Sequence, residues 1–419
     1  MSEKINRPEL LAPAGDLEKL KTAIRFGADA VYAGALNYSL RTGANSLSME
    51  QTAEGIQFAH DHGCKFYLAI NIYAFDDDLP LMKDYFLEAE KLGIDAVIVS
   101  DPGVLQLIRS LSDHINIHIS TQANTTNSDA VQFWLNNGAA RIVAARELTL
   151  SQIRTIKKNV PEAELEVFVH GSICMAFSGR CLLSKYLTGR SANRGECTQP
   201  CRWEYHFQES TRPDDIFTAG EDKRGTYFLN SKDLCLIRHI PELVESGVRS
   251  FKIEGRNKSS FYTAMVTKVY REAIDNYLAD PEKYQVKQEW LDNLNKIAHR
   301  PYTDGLMFPD TGFSGTDKDT EHRSDSAYIK TYHFVGVVEN FDKEKKRLTI
   351  SGRNRFAAGD ELELLDYRTK PVQKLKIGPM QKSTGEIITE AHSGYLVTAD
   401  LQGNTIEDIS KHSILFKKC

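Results

Sequence analysis

The chain has 419 residues, of which 41% are hydrophobic and 26% are charged, a mix typical of soluble globular proteins. This length predicts two domains, and the formal net charge of −5 argues against a protein coated in nucleic acid. No run of about eighteen apolar residues exists and the N-terminus, MSEKINRPELL, lacks a signal-peptide core, so we expect a cytoplasmic protein without a membrane span.

The first 300 residues alternate short apolar runs with amphipathic stretches. The apolar runs predict eight strands: Glu9–Pro13, Ala30–Gly34, Lys65–Tyr73, Ala96–Ser100, Ile117–Thr121, Arg141–Ala144, Leu165–His170 and Ser250–Ile253. Helical spacing predicts the intervening helices: a first one capped by Asp16 and ending at Phe26, then Ser48–His62, Leu81–Leu92, Val104–Leu111, Asp129–Asn136, Ser151–Lys158 and Tyr262–Tyr277. Eight strands, of which all but the seventh are followed by a predicted helix, favour a (β/α)8 TIM-like barrel over a doubly wound sheet.

Polar residues stand at the carboxyl ends of these predicted strands, where the active sites of such barrels lie. They are Asn71, Asp101, Gln122, Arg146, Glu147, His170, Glu254 and Arg256. Residues 171–235 follow the seventh strand as a long insertion, which we expect to form a lid over the mouth of the barrel.

Four of the seven cysteines lie within 28 residues of this lid, and we call them the four lid cysteines: Cys174, Cys181, Cys197 and Cys201. In a reducing compartment, thiols gathered in this way indicate a bound metal or an iron–sulfur cluster rather than disulfides. The spacing leaves zinc and a cluster equally open, because only the last pair, Cys-x3-Cys, resembles a zinc knuckle. Cys235 is a candidate substitute ligand, although its apolar neighbours favour a buried structural role.

Several motifs resemble those of the collagenase-like peptidase family U32. The signature-like segment runs from Glu166 to Ser184 and contains His170, Cys174 and Cys181. The stretch NRGECTQPCRW at 193–203 is similar to that of the RNA-hydroxylating members of the family, and ELLAPAG (9–15), NSKDLC (230–235) and KIEGR (252–256) also match. The resemblance covers nearly the whole chain.

This resemblance implies a function. Members with the most similar pattern are iron–sulfur proteins that convert the wobble uridine of tRNA to 5-hydroxyuridine and need prephenate. It therefore implies a 4Fe–4S cluster on the four lid cysteines, prephenate as co-substrate, tRNA as partner, and a paralogue or electron donor as a further partner. The alternatives are a collagenase-like peptidase, hydroxylation of a ribosomal RNA cytidine, and a non-enzymatic RNA-binding module stapled by zinc.

The candidate site residues each have a functional and a structural interpretation. Arg146, Lys252 and Arg256 are suited to clamp a dicarboxylate such as prephenate, or to form ion pairs that stiffen the rim; we favour function for Arg256. His170 is a candidate general acid/base, or a satisfied core histidine. Asn71 and Gln122 are candidate substrate-binding amides, or bond loop backbone.

The lid is locally basic, with five basic residues between positions 180 and 203 against the single acid Glu196. These are Arg180, Lys185, Arg190, Arg194 and Arg202. Such a patch suits a phosphate- or carboxylate-bearing substrate, and a solvated charged loop is the alternative. Trp203 and Tyr205 are candidates to stack on a flipped base, or core aromatics.

Beyond the barrel, which we assign to residues 1–300, the pattern changes. Residues 282–300 are polar with helical spacing, 301–327 are predicted as a linker or arm, and 328–419 alternate with a period of two. This last region predicts a small antiparallel β-barrel with strands His333–Val338, Arg347–Ser351, Glu361–Leu365, Val372–Ile377, Gly385–Thr389 and Tyr395–Leu401. The basic run Lys343–Arg347 is a candidate tRNA contact, or a solvated hairpin tip.

Common catalytic motifs are missing from the sequence. It contains no His-Glu-x-x-His, no Gly-x-Ser-x-Gly, no Walker A loop and no Gly-x-Gly-x-x-Gly after a strand. Peptidase activity is therefore ranked below RNA modification.

Overall fold

Eight parallel strands close into a barrel in the computed structural model, which describes residues 7–35, 38–39, 46–174, 180–203, 205–209, 212–219, 232–308, 328–369, 371–403 and 406–419. The barrel strands are β1 (Glu9–Ala14), β2 (Ala30–Gly34), β3 (Lys65–Ile70), β4 (Ala96–Val99), β5 (Asn116–Ile119), β6 (Arg141–Val143), β7 (Glu164–Ser172) and β11 (Ser250–Ile253). Because β11 pairs in parallel with both β1 and β7, the sheet has no open edge at this point. The predicted TIM-like barrel is confirmed.

Helices follow the strands and cover the outside of the barrel. They are α1 (Leu17–Arg25), α2 (Met49–Asp61), α3 (Leu79–Lys91), α4 (Pro102–Leu111), α5 (Ser128–Asn136), α6 (Leu150–Asn159) and α9 (Ser260–Ala279). Side-chain caps explain several starts: Ser48 and Thr149 each form a capping box with a glutamine three residues later, and Asp16 accepts the Lys19 N–H. The predicted bounds of these helices agree with the structure within two residues.

The insertion after β7 adds both a lid and a short extension of the sheet. It contains α7 (Leu183–Thr188), the hairpin strands β8 (Tyr205–Glu209) and β9 (Arg212–Ala219), and β10 (Asp233–Cys235). Strand β10 runs antiparallel to the end of β7, and β12 (Tyr302–Thr303) pairs with β10. The start of the predicted arm thus belongs to the barrel sheet, whereas 309–327 lie outside the described residues. Two shorter helices, α8 (Ile240–Glu245) and α10 (Gln288–Leu294), flank α9 in sequence, so the predicted helical stretch 282–300 is helical mainly over α10.

The second domain is a small antiparallel barrel, as predicted. Its strands are β13 (Tyr332–Asp342), β14 (Arg347–Gly352), β15 (Phe356–Ala357), β16 (Glu361–Leu365), β17 (Gln373–Lys382), β18 (Ile387–Ile388), β19 (Glu390–Ala391), β20 (Leu396–Gln402) and β21 (Ile414–Lys418). Six of them close in the order β16-β21-β13-β14-β20-β17, with β16 pairing back to β17. The closing strand β21 was not predicted, and the predicted strand at 385–389 is only the two-residue edge strand β18.

The two domains pack together along α9. Phe261 of α9 stacks on Phe416 of β21 with ring centroids 4.6 Å apart, and Lys268 Nζ donates to the carbonyls of Asp366 and Thr369 at 2.9 and 2.8 Å. Because barrel strands lie on one side and the second domain on the other, α9 is buried around most of its circumference. No described helix is both long enough and apolar enough to cross a membrane.

A histidine beside α8 makes part of the fold sensitive to pH. His239 stacks on Phe308 and has ring nitrogens 3.5 Å from Asp304 and 3.5 Å from Glu242. Burial alone would lower the pKa of His239, but Asp304 and Glu242 together raise it above its ordinary value. When protonated, the ring therefore forms ion pairs that hold residues 304–308 against the barrel.

We expect His239→Gln to destabilise the protein more at pH about 5.5 than at pH about 8.5. A histidine with a raised pKa contributes fully below its unfolded pKa of about 6.5, and this contribution is lost as the pH rises through the folded value. The effect is at most about 1 kcal/mol because the groups are partly exposed. Thermal melts at both pH values test it, with the exposed His114→Gln as control. A pH-independent loss would contradict the assignment.

Candidate active site at the barrel mouth

The carboxyl ends of the barrel strands surround a small cavity of about 60 Å³. Predicted site residues that line it are Asn71, Gln122, Arg146, Lys252, Glu254 and Arg256. Cys174 of the lid also lines it, so the lid and the mouth face each other as expected. Ligand pockets usually measure about 300–1,000 Å³, so the mouth has room here only for a few water molecules.

A chain of buried charges crosses the barrel interior beneath the mouth. Lys252 Nζ donates to the fully buried Glu166 at 2.7 Å, and Arg141 lies 3.4 Å from the other Glu166 oxygen. Arg141 also donates to Glu9 at 2.6 Å. Burial would raise the pKa of Glu9, but the charge of Arg141 and the hydrogen bonds that the Glu9 carboxylate accepts, including one from Tyr67, hold that pKa below its usual value. The positive charge of Lys252 is thus neutralised by Glu166, and we do not assign Lys252 a role in binding substrate.

Arg146 brings positive charge to the rim of the mouth. Its guanidinium stacks over the Phe168 ring at 4.1 Å, and Nη1 lies 3.8 Å from Cys174 Sγ. Its Nε atom is buried and has no hydrogen-bond partner in the described part of the chain. A donor in that position is suited to an anionic ligand.

Arg256, which follows β11, supplies a second guanidinium to the lining of the mouth. It is only 4% exposed, and its Nη1 donates to Ser39 Oγ at 2.9 Å. Gly34 at the end of β2 leaves the space for it, because a Cβ there would overlap the Arg256 guanidinium. The close fit holds the positive group in one place.

Hydroxyl and amide groups complete the lining. Asn71 Nδ2 donates to Ser120 Oγ at 3.1 Å, and the same hydroxyl accepts the backbone N–H of Gln122 at 3.3 Å. Tyr32 O–H donates to the Ile253 carbonyl at 3.0 Å. Sequence reasoning missed Ser120 and Tyr32, although Ser120 directly follows β5 and could have been found by the strand-end rule that identified Gln122.

His170 and Cys235 lie in the core rather than at the mouth. The His170 ring is enclosed by Tyr262, Tyr270 and Tyr302, and burial lowers its pKa to about 3. Burial also raises the pKa of Cys235 to about 12, and its thiol bonds to Tyr270. Both groups are therefore neutral near pH 7. This placement matches their structural interpretations, and we assign His170 no chemical step.

The four lid cysteines form no disulfide bond and, among the described residues, no assembled metal site. Cys174 and Cys197 are exposed, and Cys181 and Cys201 are partly exposed. Over the described ranges, no three Cys, His, Asp or Glu side chains lie close enough to hold a metal ion. The donor chemistry, four cysteines on one segment that form no disulfide bond, suits a thiolate-bound metal. The four side chains are not gathered around one point in this structure, so a metal bound by all four would need them to come together.

A bidentate ion pair docks the lid on the barrel. Arg194 donates to both carboxylate oxygens of Asp78 at 2.8 and 3.1 Å and to the Tyr73 carbonyl at 3.1 Å. The Tyr73 N–H in turn donates to the Asn193 carbonyl at 3.1 Å. The lid is therefore fixed at the loop between β3 and α3.

We expect Arg194→Ala to loosen the lid while leaving the barrel folded. The pair is partly exposed, so the loss of global stability is only about 0.2–1 kcal/mol. Hydrogen exchange should nevertheless become faster at residues 180–203 and stay unchanged in the barrel strands. Arg190→Ala, an exposed arginine in the same segment, is the matched control. Equal exchange in both variants would mean that the pair does not dock the lid.

The remaining predicted residues lie away from the mouth. Asp101 caps α4 by accepting the N–H groups of Gly103 and Val104. Trp203 is 45% exposed on the lid, and the side chain of Tyr205 lies outside the described residues. The basic run Lys343–Arg347 forms the exposed turn between β13 and β14.

Comparison with known proteins gives the family. The sequence matches the model of peptidase family U32 over residues 15–316 and that of the peptidase family U32 C-terminal domain over residues 330–415. The Bacillus subtilis (strain 168) tRNA hydroxylation protein P1 is 41% identical over 85% of this chain and 83% of its own length. The Escherichia coli (strain K12) 23S rRNA 5-hydroxycytidine synthase is 32% identical over 89% of this chain and 56% of its own. The Porphyromonas gingivalis collagenase is 33% identical over 89% and 94%, respectively. This chain belongs to peptidase family U32.

Proposed function

We propose that this protein hydroxylates an RNA base at the mouth of its barrel. The observation that carries the proposal is the juxtaposition of Arg146 with Cys174, which joins a cationic mouth to a lid whose four clustered cysteines form no disulfide bond. In support, the Bacillus subtilis relative named as a tRNA hydroxylation protein is 41% identical to this chain over 83% of its own length. The mouth supplies positive charge for an anionic co-substrate, and the basic lid suits a phosphate-bearing chain.

We take the substrate to be the wobble uridine of a tRNA, converted to 5-hydroxyuridine. This change replaces a C5–H bond by a C5–OH bond, which is a two-electron oxidation with insertion of one oxygen atom. The side chains at the mouth exchange protons and cannot accept the two electrons that the base loses. The reaction therefore needs a redox group and an oxidant that supplies the oxygen atom. With dioxygen as that oxidant, two further electrons and two protons convert its second oxygen atom to water, so an electron donor or a second family member is the expected partner.

The lid thiols are the proposed ligands of that group, a 4Fe–4S cluster. Its ligands would be Cys174, Cys181, Cys197 and Cys201, and when bound it would supply one-electron redox chemistry. Cys235 is a poorer ligand because its thiol is buried, protonated and hydrogen-bonded. Zinc bound by all four thiols would instead be structural.

Prephenate is the proposed co-substrate of the mouth. Its two carboxylates match the guanidinium groups of Arg146 and Arg256, since a guanidinium pairs with a carboxylate through two parallel hydrogen bonds. The cavity of about 60 Å³ is too small for a ten-carbon acid. Prephenate binding would therefore require Cys174 and Arg146 to move outward, in the same rearrangement that would bring the thiols together.

Nucleoside analysis tests the proposal. In a strain lacking this protein and any paralogue, 5-hydroxyuridine and its derivatives should disappear from digested tRNA and return on complementation. Loss of hydroxycytidine from ribosomal RNA instead would favour the ribosomal alternative. Unchanged nucleosides in both RNA pools would refute RNA hydroxylation. A block in prephenate synthesis should reproduce the tRNA defect.

A peptidase is the second candidate, favoured by the collagenase relative. A cysteine or serine peptidase needs a nucleophile within hydrogen-bond reach of a base. No histidine is among the described residues that line the mouth, and Cys174 contacts Arg146 there. Cleavage of collagen by the purified protein, lost on Cys174→Ser, would revive this candidate.

A further inference from the structure

A second, larger cavity lies beside the mouth, between the lid and the loops that follow β3, β4 and β5. Its volume is about 500 Å³, which falls within the range of small-molecule pockets. The lid contributes Arg180, Leu182 and Asn193 to its wall. Gln122 lines both this cavity and the mouth, so the two spaces are neighbours.

The walls of this cavity combine aromatic surface with a single positive charge. Tyr73 and Trp134 supply two rings, and Arg180 is the one charged side chain among the described residues of the lining. Burial raises the pKa of Tyr73, and the positive charge of Arg180 offsets part of this rise because the two side chains lie near each other. Two aromatic groups with one cation suit an aromatic heterocycle that carries one phosphate.

The aromatic walls are held in place before any ligand binds. Tyr73 O–H donates to the Gln122 carbonyl at 3.3 Å, and Trp134 Nε1 donates to Thr125 Oγ1 at 3.1 Å. The lid forms hydrogen bonds with both backbone groups of Tyr73. The Tyr73 N–H donates to the carbonyl of Asn193, and the Tyr73 carbonyl accepts from the guanidinium of Arg194. Because these side chains are already ordered, they lose little conformational entropy when a base stacks on them.

We infer that this cavity is the nucleoside subsite, which receives the target base and its phosphate. The inference rests on the proposed function and adds the place where the RNA enters. The base packs against Tyr73 and Trp134, the phosphate lies toward Arg180, and Gln122 marks the side on which the base reaches the mouth. A dicarboxylate is the poorer occupant because it would need a second cation, and the mouth offers two arginines. We thus place the target base beside the lid and the carboxylates of the co-substrate in the mouth of the barrel.

Photocrosslinking tests this assignment directly. An anticodon stem–loop RNA with 5-iodouridine at the wobble position should, on irradiation, crosslink to Tyr73 or Trp134, as read by mass spectrometry of the full-length protein. Crosslinks only at Trp203, Tyr186 or the second domain would overturn the subsite while leaving RNA hydroxylation standing. Absence of any crosslink, together with unchanged nucleosides in the deletion strain, would overturn both.

Binding of the same stem–loop to variants gives an independent measure. Tyr73→Leu should weaken binding about 5- to 150-fold, the range for loss of one base–aromatic stack, whereas Tyr73→Phe keeps the ring and should stay within about 2-fold. Tyr186→Leu, which removes a lid aromatic that is 86% exposed and lies outside the cavity, is the matched control. Equal effects of Tyr73→Leu and Tyr186→Leu would contradict the assignment.

A surface variant avoids any effect on folding. Arg180 is exposed, so Arg180→Gln leaves the core intact and should reduce the salt dependence of binding by about one phosphate contact. Arg190→Gln, also an exposed lid arginine, should reduce it less. An unchanged salt slope for Arg180→Gln would show that no phosphate lies there and would overturn the assignment.

Discussion

Glu166→Gln is expected to lower the free energy of unfolding of the first domain by about 3–5 kcal/mol, the usual cost of removing one partner from a buried ion pair. Glu166 is fully buried, and its two oxygens face Lys252 at 2.7 Å and Arg141 at 3.4 Å. The glutamine would leave Arg141 paired with Glu9 and Glu164, and it would remove the carboxylate that Lys252 contacts in the barrel interior. Desolvated charges without a counter-charge are costly at this depth.

Tryptophan fluorescence during urea denaturation measures this effect. All three tryptophans, Trp134, Trp203 and Trp290, belong to the first domain, so the signal reports the TIM-like barrel. Lys283→Gln, which removes an exposed pair with Asp280, is the control and should cost no more than about 1 kcal/mol.

A double variant separates charge from packing. Glu166→Leu combined with Lys252→Met should recover much of the stability, because an apolar pair needs no compensation. A glutamine variant as stable as the wild type would mean that the network contributes nothing. In that case Lys252 would be available for a ligand, as its sequence position suggested.

The barrel was predictable because its signals are local and repeated. Eight apolar runs alternate with helices whose starts carry their own caps, such as Ser48 and Thr149. Each unit repeats the same periodicity, so an error in one boundary does not change the architecture. The strand β10 was missed because it has only three residues and its partner, the end of β7, lies far away in sequence.

The second domain shows where such local reasoning fails. Strand β21 begins with three consecutive buried residues, Ile414, Leu415 and Phe416, and lacks the alternation that marks a half-buried strand. Its central residues are covered from both faces because Phe416 packs on Phe261 of the first domain. A pattern set by contact between domains cannot be read from one strand. The edge segment at 385–389 alternates but pairs over only two residues.

The candidate site was predictable in position and less so in role. The strand-end rule found Asn71, Gln122, Arg146 and Arg256, all of which line the mouth. It could not tell which charges are already matched, because the partner of Lys252 is a residue 86 positions away. The same rule placed His170 at the mouth, but in the structure three tyrosine rings contributed by later segments enclose it.

Replacing any one of the four lid cysteines by serine is expected to reduce binding of the proposed cluster, and the proposed RNA hydroxylation with it, by at least about 100-fold, since even the loss of an outer partner of a metal ligand costs about 10–100-fold. A serine hydroxyl is not deprotonated near pH 7 and is a poor ligand for iron, whereas it replaces a thiol with little change in volume. Because these side chains are wholly or partly exposed, the apo variants should melt at the wild-type temperature. The expected effect is thus on the bound group and not on the fold.

Anaerobic purification with iron, sulfide and zinc analysis provides the measurement, and visible absorbance gives a readout that does not depend on activity. Cys64→Ser and Cys419→Ser, which lie outside the lid, should retain iron and colour. Cys235→Ser should retain them as well, because burial holds the pKa of that thiol at about 12 and keeps it protonated. If the wild-type protein contained stoichiometric zinc and had no colour, the four cysteines would bind a structural zinc ion and not a cluster. Full colour in Cys181→Ser would remove that residue from the ligand set, and full colour in all four variants would leave the lid thiols without a metal role.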